Sequence, residues 1–172
     1  MSNLFVSEFL NAADPMAISG DEGYETGQVG SMLQANNEWE NSDLVIVGCD
    51  EWRGDGPHAQ PVSSDIVREQ FYRLYHWHNE IKIADLGTIK VGAGLADTYA
   101  ALKIVVKDLV DAGKKVLVWG GSHDCTLPLY DSFADFRVPC CRRTGIKVRE
   151  YGRGRQQPGA DSSNWGDGMI FG

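Results

Sequence analysis

Three adjacent polar residues, Ser122, His123 and Asp124, are the side chains of this sequence best placed to do chemistry. They follow two glycines and a short apolar run at residues 115–119, which is typical of a buried strand. In an open α/β sheet, ligands bind just beyond the carboxyl ends of the parallel strands. Glycines at that point let the backbone turn sharply. The segment therefore presents an imidazole and a carboxylate where they can exchange hydrogen bonds or bind a metal ion.

Two other kinds of site fit the sequence less well. A serine hydrolase would carry Gly-x-Ser-x-Gly, whereas residues 120–124 lack the last glycine and their neighbouring side chains diverge. A dinucleotide site would need Gly-x-Gly-x-x-Gly after a strand, whereas residues 92–97 end in aspartate and follow only a short apolar stretch. A Gly-x-x-x-x-Gly-Lys-Ser/Thr phosphate loop is absent from the sequence.

A metal site is the remaining interpretation of His123. Histidine is the commonest metal ligand, and carboxylate-rich sites with histidine suit Mn²⁺. Two such ions about 3.5–4 Å apart can hold a hydroxide that attacks a planar carbon. A single histidine at a strand end is also often structural, and the sequence leaves both interpretations open. His58 could face the site from a glycine-rich loop, whereas His76 and His78 point to different faces of a predicted helix.

Composition indicates an ordinary soluble protein. The 172 residues are 42% hydrophobic and 23% charged, and no apolar run reaches the roughly 18 residues of a membrane helix. The polar N-terminus lacks a secretory signal pattern, so a cytoplasmic location is expected. The four cysteines show no Cys-x-x-Cys spacing. Cys49 and Cys125 are interpreted as small buried thiols, and Cys140 and Cys141 as an adjacent pair in a tail.

Charge divides the sequence into an acidic body and a basic tail. Residues 1–136 hold 9 Lys+Arg and 21 Asp+Glu, a balance of −12. Residues 137–172 hold 7 Lys+Arg and 3 Asp+Glu, a balance of +4, together with 7 glycines. An acidic body argues against nucleic-acid binding, which needs a basic face to neutralise phosphates. The tail lacks apolar periodicity, so it is expected to be irregular.

The apolar pattern predicts alternating strands and helices, and hence a parallel sheet with right-handed crossovers. The predicted strands are 44–49, 81–85 and 115–119, and the predicted helices are 66–77, 98–112 and 126–133. The first helix would present Ile66, Phe71, Leu74, Tyr75 and His78 on one face, and the second would bury Tyr99, Leu102, Val105, Val106, Leu109 and Val110. Residues 1–40 are interpreted as a polar arm with a short helical stretch near residues 32–39.

Three segments together resemble the ureohydrolases, the family of arginase, agmatinase and formimidoylglutamase: residues 47–54, 83–87 and 120–124. The Ser-His-Asp order in the last segment is similar to the formimidoylglutamase-like branch. The resemblance implies that residues 41–136 are part of a three-layer α/β/α sandwich with a parallel sheet. It also implies a binuclear Mn²⁺ centre whose bridging hydroxide hydrolyses a guanidino or formimino C–N bond of a small molecule.

The resemblance assigns His123 to the family's first metal-ligand position and Asp124 to the position after it. The family's later motifs, Asp-x-His-x-Asp and Ser-x-Asp-x-Asp, are absent, and His123 is the last histidine of the sequence. One histidine and one carboxylate cannot balance two divalent ions. We therefore expect weak or no Mn²⁺ binding, and no hydrolysis by this chain alone.

The change in composition at residue 137 predicts that the family pattern stops there. We interpret residues 137–172 as an irregular tail, derived either from a frameshifted or truncated gene or from a natural basic extension. An incomplete sheet would leave an open edge that can pair with another chain. The alternative function is therefore a non-catalytic α/β binding or assembly module, and a homo-oligomer is possible. Neither a membrane nor a nucleic acid is expected as a partner.

Overall fold

The computed structural model describes residues 8–34 and 36–133. Four strands form one sheet in the order β1-β3-β2-β4. The strands are β1 (Leu10–Asn11), β2 (Leu44–Cys49), β3 (Ile83–Ile89) and β4 (Lys115–Trp119). β2 runs parallel to both β3 and β4, while β1 pairs antiparallel with β3. The predicted parallel strands are confirmed, and β3 extends to Ile89 rather than ending at residue 85.

Within these described residues, five α-helices and four 3-10 segments flank the strands. The helices are α1 (Pro15–Ser19), α2 (Val29–Met32), α3 (Asp65–Tyr72), α4 (Leu95–Asp111) and α5 (Thr126–Ser132). The 3-10 turns are Gly20–Glu22, Asn36–Asn41, Arg53–Asp55 and His123–Cys125. None of the helices in residues 8–34 and 36–133 combines the length and apolar composition that a membrane crossing needs.

The two faces of the sheet bury different hydrophobic clusters. On one face, Val45 and Val47 pack with Leu102 and Val105 of α4. On the other face, Ile46 packs with Tyr72 of α3 and with residues around α2. Successive residues of a strand point to opposite faces, so β2 is buried on both. Helices therefore cover both faces, which confirms the three-layer α/β/α architecture.

The amphipathic pattern of α4 is confirmed. Leu102, Val105, Val106 and Leu109 are buried along one stripe. Gly113 follows two residues after the helix end at Asp111, and its φ of 76° is unfavourable for residues with a Cβ. The amide of Gly113 donates to the Val110 carbonyl, and the amide of Lys114 donates to the Leu109 carbonyl. This pair of bonds is the Schellman arrangement that satisfies the last helical carbonyls.

The predicted apolar face of α3 is wrong. Ile66 is 62% exposed, and the helix ends at Tyr72, before three of the five residues assigned to that face. The residues that α3 buries are Arg68 and Tyr72. Both contact the carboxylate of Asp85 in β3, so an ion pair attaches this helix to the sheet together with the apolar packing of Phe71 and Tyr72.

A bulge in β3 adapts the strand to its neighbours. Ile46 is opposite Asp85 whereas Gly48 is opposite Thr88, so β3 carries one more residue than β2 over this stretch. Gly87 lies in the bulge with φ of 99°, a conformation that favours glycine. The short strand β1, in the segment interpreted as an arm, pairs with β3 beyond this bulge. Residues 137–172, interpreted as a tail, lie outside the described residues.

Candidate functional site

The loop that follows β4 packs directly against the end of β2. Gly120 and Gly121 have φ of 83° and 84°, and a Cβ on Gly120 would lie 2.8 Å from the Cys49 carbonyl oxygen. The amide of Ser122 donates to the Glu51 carbonyl at 2.8 Å. Two glycines are therefore required for this close approach, which brings residues 120–125 beside residues 49–55.

Asp124 is half-buried and held by hydroxyl groups. The Ser122 hydroxyl donates a hydrogen bond to its carboxylate, and Tyr99 also hydrogen-bonds to it. Burial by itself would raise the pKa of Asp124, but these hydrogen bonds outweigh it and hold the pKa below its ordinary value. Burial, followed by the contact with Asp124, raises the pKa of Tyr99. The carboxylate also lies so close to Gly54 that a Cβ there would overlap it.

His123, by contrast, is exposed. Its backbone amide lies 3.4 Å from the Asp55 carboxylate, a long hydrogen bond between the two 3-10 turns. The structure thus places the two predicted ligands as neighbours at the end of β4, with Asp124 engaged internally and His123 at the surface. His58, the other histidine considered for this site, is also exposed.

Glu51 and Arg53 form a clamp that the sequence analysis did not identify. Arg53 donates from Nε to Glu51 Oε1 at 2.8 Å and from Nη2 to Oε2 at 2.6 Å. It also donates to the carbonyl oxygens of Gly92 and Ala93, both at 3.1 Å. The hydrogen bond from Arg53 lowers the pKa of the buried Glu51 to about 2. The clamp ties the loop after β2 to the loop that precedes α4.

The cysteines at this site are the buried thiols that the sequence predicted. Cys49 and Cys125 are 0% and 4% exposed, and their Sγ atoms lie 3.9 Å apart. The contact with Cys125, followed by burial, raises the pKa of Cys49, whereas the contact with Cys49 lowers that of Cys125 to about 7.

A cavity of about 450 Å³ lies near the carboxyl ends of β2 and β3, on the side of β1. Its lining includes Asp50, Asp65 and Thr88, together with residues of β1 and α1. The Asp50 carboxylate already has a partner in the protein, because it accepts a hydrogen bond from the Ser64 amide at 2.7 Å. His123 and Asp124 do not line this cavity. The predicted ligands and this cavity are therefore separate features of the molecule.

The residues present do not fit a two-ion centre. Within the part of the chain that the structure describes, no group of three or more His, Cys, Asp or Glu residues is arranged to hold a metal ion. The Asp124 carboxylate already accepts hydrogen bonds from Ser122 and Tyr99. His123 is left as a single exposed imidazole, which can contribute one ligand but cannot form a site.

Comparisons with known proteins point to one family. Residues 44–141 match the sequence model of the Arginase family. A formiminoglutamase variant of Trypanosoma cruzi with Mn²⁺ superposes with a TM-score of 0.54 at 24% identity, over 62% of this chain and 39% of that protein. The T. cruzi formiminoglutamase with Mn²⁺ superposes with a TM-score of 0.51 at 21% identity, over 62% of this chain and 39% of that protein.

Two further comparisons carry no argument about this chain. The agmatine ureohydrolase of Thermoplasma volcanium gives a TM-score of 0.47 at 17% identity, over 63% of this chain and 39% of that protein. No curated protein matches the sequence. The match to the T. cruzi structures shows that the chain spans about two fifths of their length.

Proposed function

Because the chain belongs to the Arginase family, we propose that it carries the first metal-ligand segment of a ureohydrolase, with His123 as the ligand. The supporting observation is the position of His123 in a Gly-Gly-Ser-His-Asp segment at the carboxyl end of the parallel strand β4. Ligand sites in open α/β sheets lie at these strand ends. The reaction class proposed is hydrolysis of a guanidino or formimino C–N bond, and the formimino substrate matches the formimidoylglutamase-like motif. The expected location is cytoplasmic.

We expect the chain on its own to be inactive as a hydrolase. Mn²⁺ accompanies the formiminoglutamase structures that this fold resembles, and it is the metal proposed here. Two divalent ions require several anionic ligands, whereas the described residues offer one exposed imidazole near an internally bonded carboxylate. Hydrolysis by a two-ion centre would need further metal ligands from outside residues 8–34 and 36–133.

A second candidate function is assembly without catalysis. β4 pairs with β2 along one edge, and no other described strand covers its opposite edge. Leu117 in the middle of β4 is 36% exposed. An uncovered strand presents unpaired backbone groups that another chain can bind. This alternative predicts a stable oligomer or complex, with or without bound metal.

Calorimetric titration of the full chain with Mn²⁺ tests the first proposal. We expect at most one weakly bound ion per chain, because a single imidazole supplies one ligand. Any such binding should be lost in His123→Ala and kept in the control His58→Ala, which removes another exposed histidine. Arginine, agmatine and formimidoylglutamate should release no urea or formamide. Two ions per chain, metal-dependent turnover, or binding that survives His123→Ala would each contradict the proposal. Light scattering on the same samples measures the oligomeric state and so tests the alternative separately.

A further inference from the structure

The paired thiols of Cys49, at the end of β2, and Cys125, in the 3-10 turn after β4, have no role in the function proposed above. Cys49 is the last residue of β2, and Cys125 closes the 3-10 turn that carries His123 and Asp124. They are 76 positions apart in sequence, and their sulfur atoms are in contact. We propose that Cys49 and Cys125 are a modification site, at which a small peroxide converts the two thiols of the folded protein into a reversible disulfide.

Close packing and backbone hydrogen bonds fix the segments that carry the two sulfurs. A Cβ on Gly121 would lie 2.6 Å from Cys125 Sγ and 3.4 Å from the Cys49 carbonyl oxygen, so the segments are packed as closely as glycine allows. The Ser122 amide bonds to the Glu51 carbonyl, and the Cys125 amide bonds to the Ser122 carbonyl at 3.0 Å. These bonds fix both cysteines to the same short stretch of structure.

The sulfur separation is within reach of bond formation. The sulfurs must close from 3.9 Å to the disulfide length of about 2.05 Å, a combined movement of about 2 Å. Rotation of a cysteine side chain about its Cα–Cβ bond moves the sulfur on this scale. Buried cysteines that serve as small apolar residues also pack in contact, and that role would leave both thiols unreactive.

The oxidation balances with peroxide as the oxidant. Cys125 is the first nucleophile, because it has residual exposure and lies between the exposed residues Gly121 and Thr126. Its sulfur attacks one peroxide oxygen, the O–O bond breaks, and the product is a sulfenic acid and one water. The Cys49 sulfur then attacks the Cys125 sulfur, the S–O bond breaks, and the hydroxide takes the Cys49 proton to leave as a second water. Two thiols lose two electrons in total, and the peroxide gains them.

The disulfide would tie the turn that carries His123 to the end of β2. Residues 120–125 would then be covalently attached to the centre of the sheet and not only hydrogen-bonded to it. The proposal does not depend on metal binding, because its readout is the chemical state of the two sulfurs. If the titration detects no Mn²⁺ binding, the disulfide proposal still stands. If no disulfide forms, the metal-ligand proposal for His123 still stands.

Peptide mapping after mild oxidation tests the site. The folded full chain is treated with hydrogen peroxide, quenched with catalase, alkylated in urea and digested with trypsin. Cleavage after Arg53, Lys115 and Arg137 places Cys49 on peptide 1–53 and Cys125 on peptide 116–137, and Cys140 and Cys141 on a third peptide, 138–142. The expected product is peptide 1–53 joined to peptide 116–137, with dithiothreitol restoring alkylation of both cysteines.

Two variants sharpen the experiment. In Cys140→Ser/Cys141→Ser the cross-link should form to the same extent, because the tail cysteines take no part. In Cys49→Ser it should disappear, and Cys125 should accumulate as sulfinic acid or as a mixed disulfide with added glutathione. Full alkylation of both cysteines after peroxide, separate over-oxidation without cross-linking, or cross-linking only in urea-unfolded protein would overturn the proposal. The wild-type peptide map distinguishes these outcomes even where a variant fails to fold.

Discussion

Arg68 and Asp85 form a two-pronged ion pair that is inaccessible to solvent. Arg68 Nε donates to Asp85 Oδ2 at 2.9 Å, and Nη2 donates to Oδ1 at 3.0 Å. Tyr72 also donates to Asp85 Oδ2, at 2.7 Å. The guanidinium further bonds to the hydroxyls of Ser64 and Thr88 and to the Gly87 carbonyl. This network gives the buried guanidinium and carboxylate hydrogen-bond partners on every side, and it connects α3 to β3.

Removing one partner of this pair should be strongly destabilising. We expect Asp85→Ala to lower the free energy of unfolding by about 3–5 kcal/mol, because Arg68 remains as a buried charge without its counter-ion. Urea unfolding followed by circular dichroism measures the change. The control is Arg73→Ala, which breaks the exposed pair with Glu22 and should cost less than about 1 kcal/mol. Equal losses in the two variants would show that the buried network contributes little.

The Glu51–Arg53 clamp predicts acid sensitivity. The pKa of Glu51 falls from its ordinary value of 4.5 to about 2 in the folded protein. Its contribution to stability is complete above pH 4.5 and is lost as the pH falls towards 2, because the unfolded chain takes up the proton first. Arg53 is 30% exposed, so solvent weakens the pair, and we expect a contribution of about 1–3 kcal/mol.

Glu51→Gln isolates this contribution. Urea unfolding of wild type and variant across about pH 2–6 should give a stability difference that is largest above the ordinary pKa of 4.5 and shrinks towards 2. Arg53→Met should cost more than Glu51→Gln at neutral pH, because it leaves a buried carboxylate without its cation. Two stability curves that stay parallel over the whole range would contradict a depressed pKa at Glu51.

The parts of this fold that follow from apolar periodicity were predictable, and the parts built on polar contacts were not. β2 is a run of buried apolar residues and α4 has an unbroken apolar stripe, so hydrophobic burial determines both locally. The prediction of a buried strand is wrong for β4, whose residues are half-buried or exposed because it pairs with a described strand along one edge only. The apolar face predicted for α3 is wrong because Arg68 is buried through a partner 17 residues away, which no local pattern reveals. The pairing of β1 with β3 depends in the same way on a distant strand.

The location of the candidate site could be predicted from the sequence, but its side-chain contacts could not. The Gly-Gly-Ser-His-Asp segment was located at the end of β4 from its sequence, and the structure puts it there. The attachment of Asp124 to Tyr99 and the contact between the thiols depend on how α4 and β2 meet this loop. Arg53 carried one usable signal, since a Glu-x-Arg pair in a loop that follows a buried strand can form a local ion pair.

The closeness of Gly54 to Asp124 predicts a coupled pair of substitutions. Gly54→Ala should lower stability by about 1–3 kcal/mol, because the new Cβ would overlap the carboxylate and displace it from Ser122. In the Asp124→Ala background the same Gly54→Ala change should cost much less, because the space is then empty. A double-mutant cycle by urea unfolding measures this coupling. A coupling energy of zero would mean that Asp124 moves away without cost.

Gly87 predicts a more local effect at the β1 edge. Its φ of 99° and the overlap of any Cβ with the Asn11 carbonyl oxygen make alanine unfavourable on two grounds. We expect Gly87→Ala to cost at least about 2 kcal/mol and to separate β1 from β3. The Lys90 amide, which donates to the Phe9 carbonyl at 2.8 Å, should then exchange its hydrogen faster.

The control for Gly87 is Gly56→Ala, because Gly56 has a similar φ of 96° but open space around its Cβ position. It should show the backbone strain alone, about 1–3 kcal/mol, and leave the exchange of the Lys90 amide unchanged. Hydrogen exchange measured residue by residue separates the two variants. Unchanged protection of Lys90 in Gly87→Ala would mean that β1 keeps its pairing and that β3 absorbs the extra atom, which would contradict the role given to this glycine.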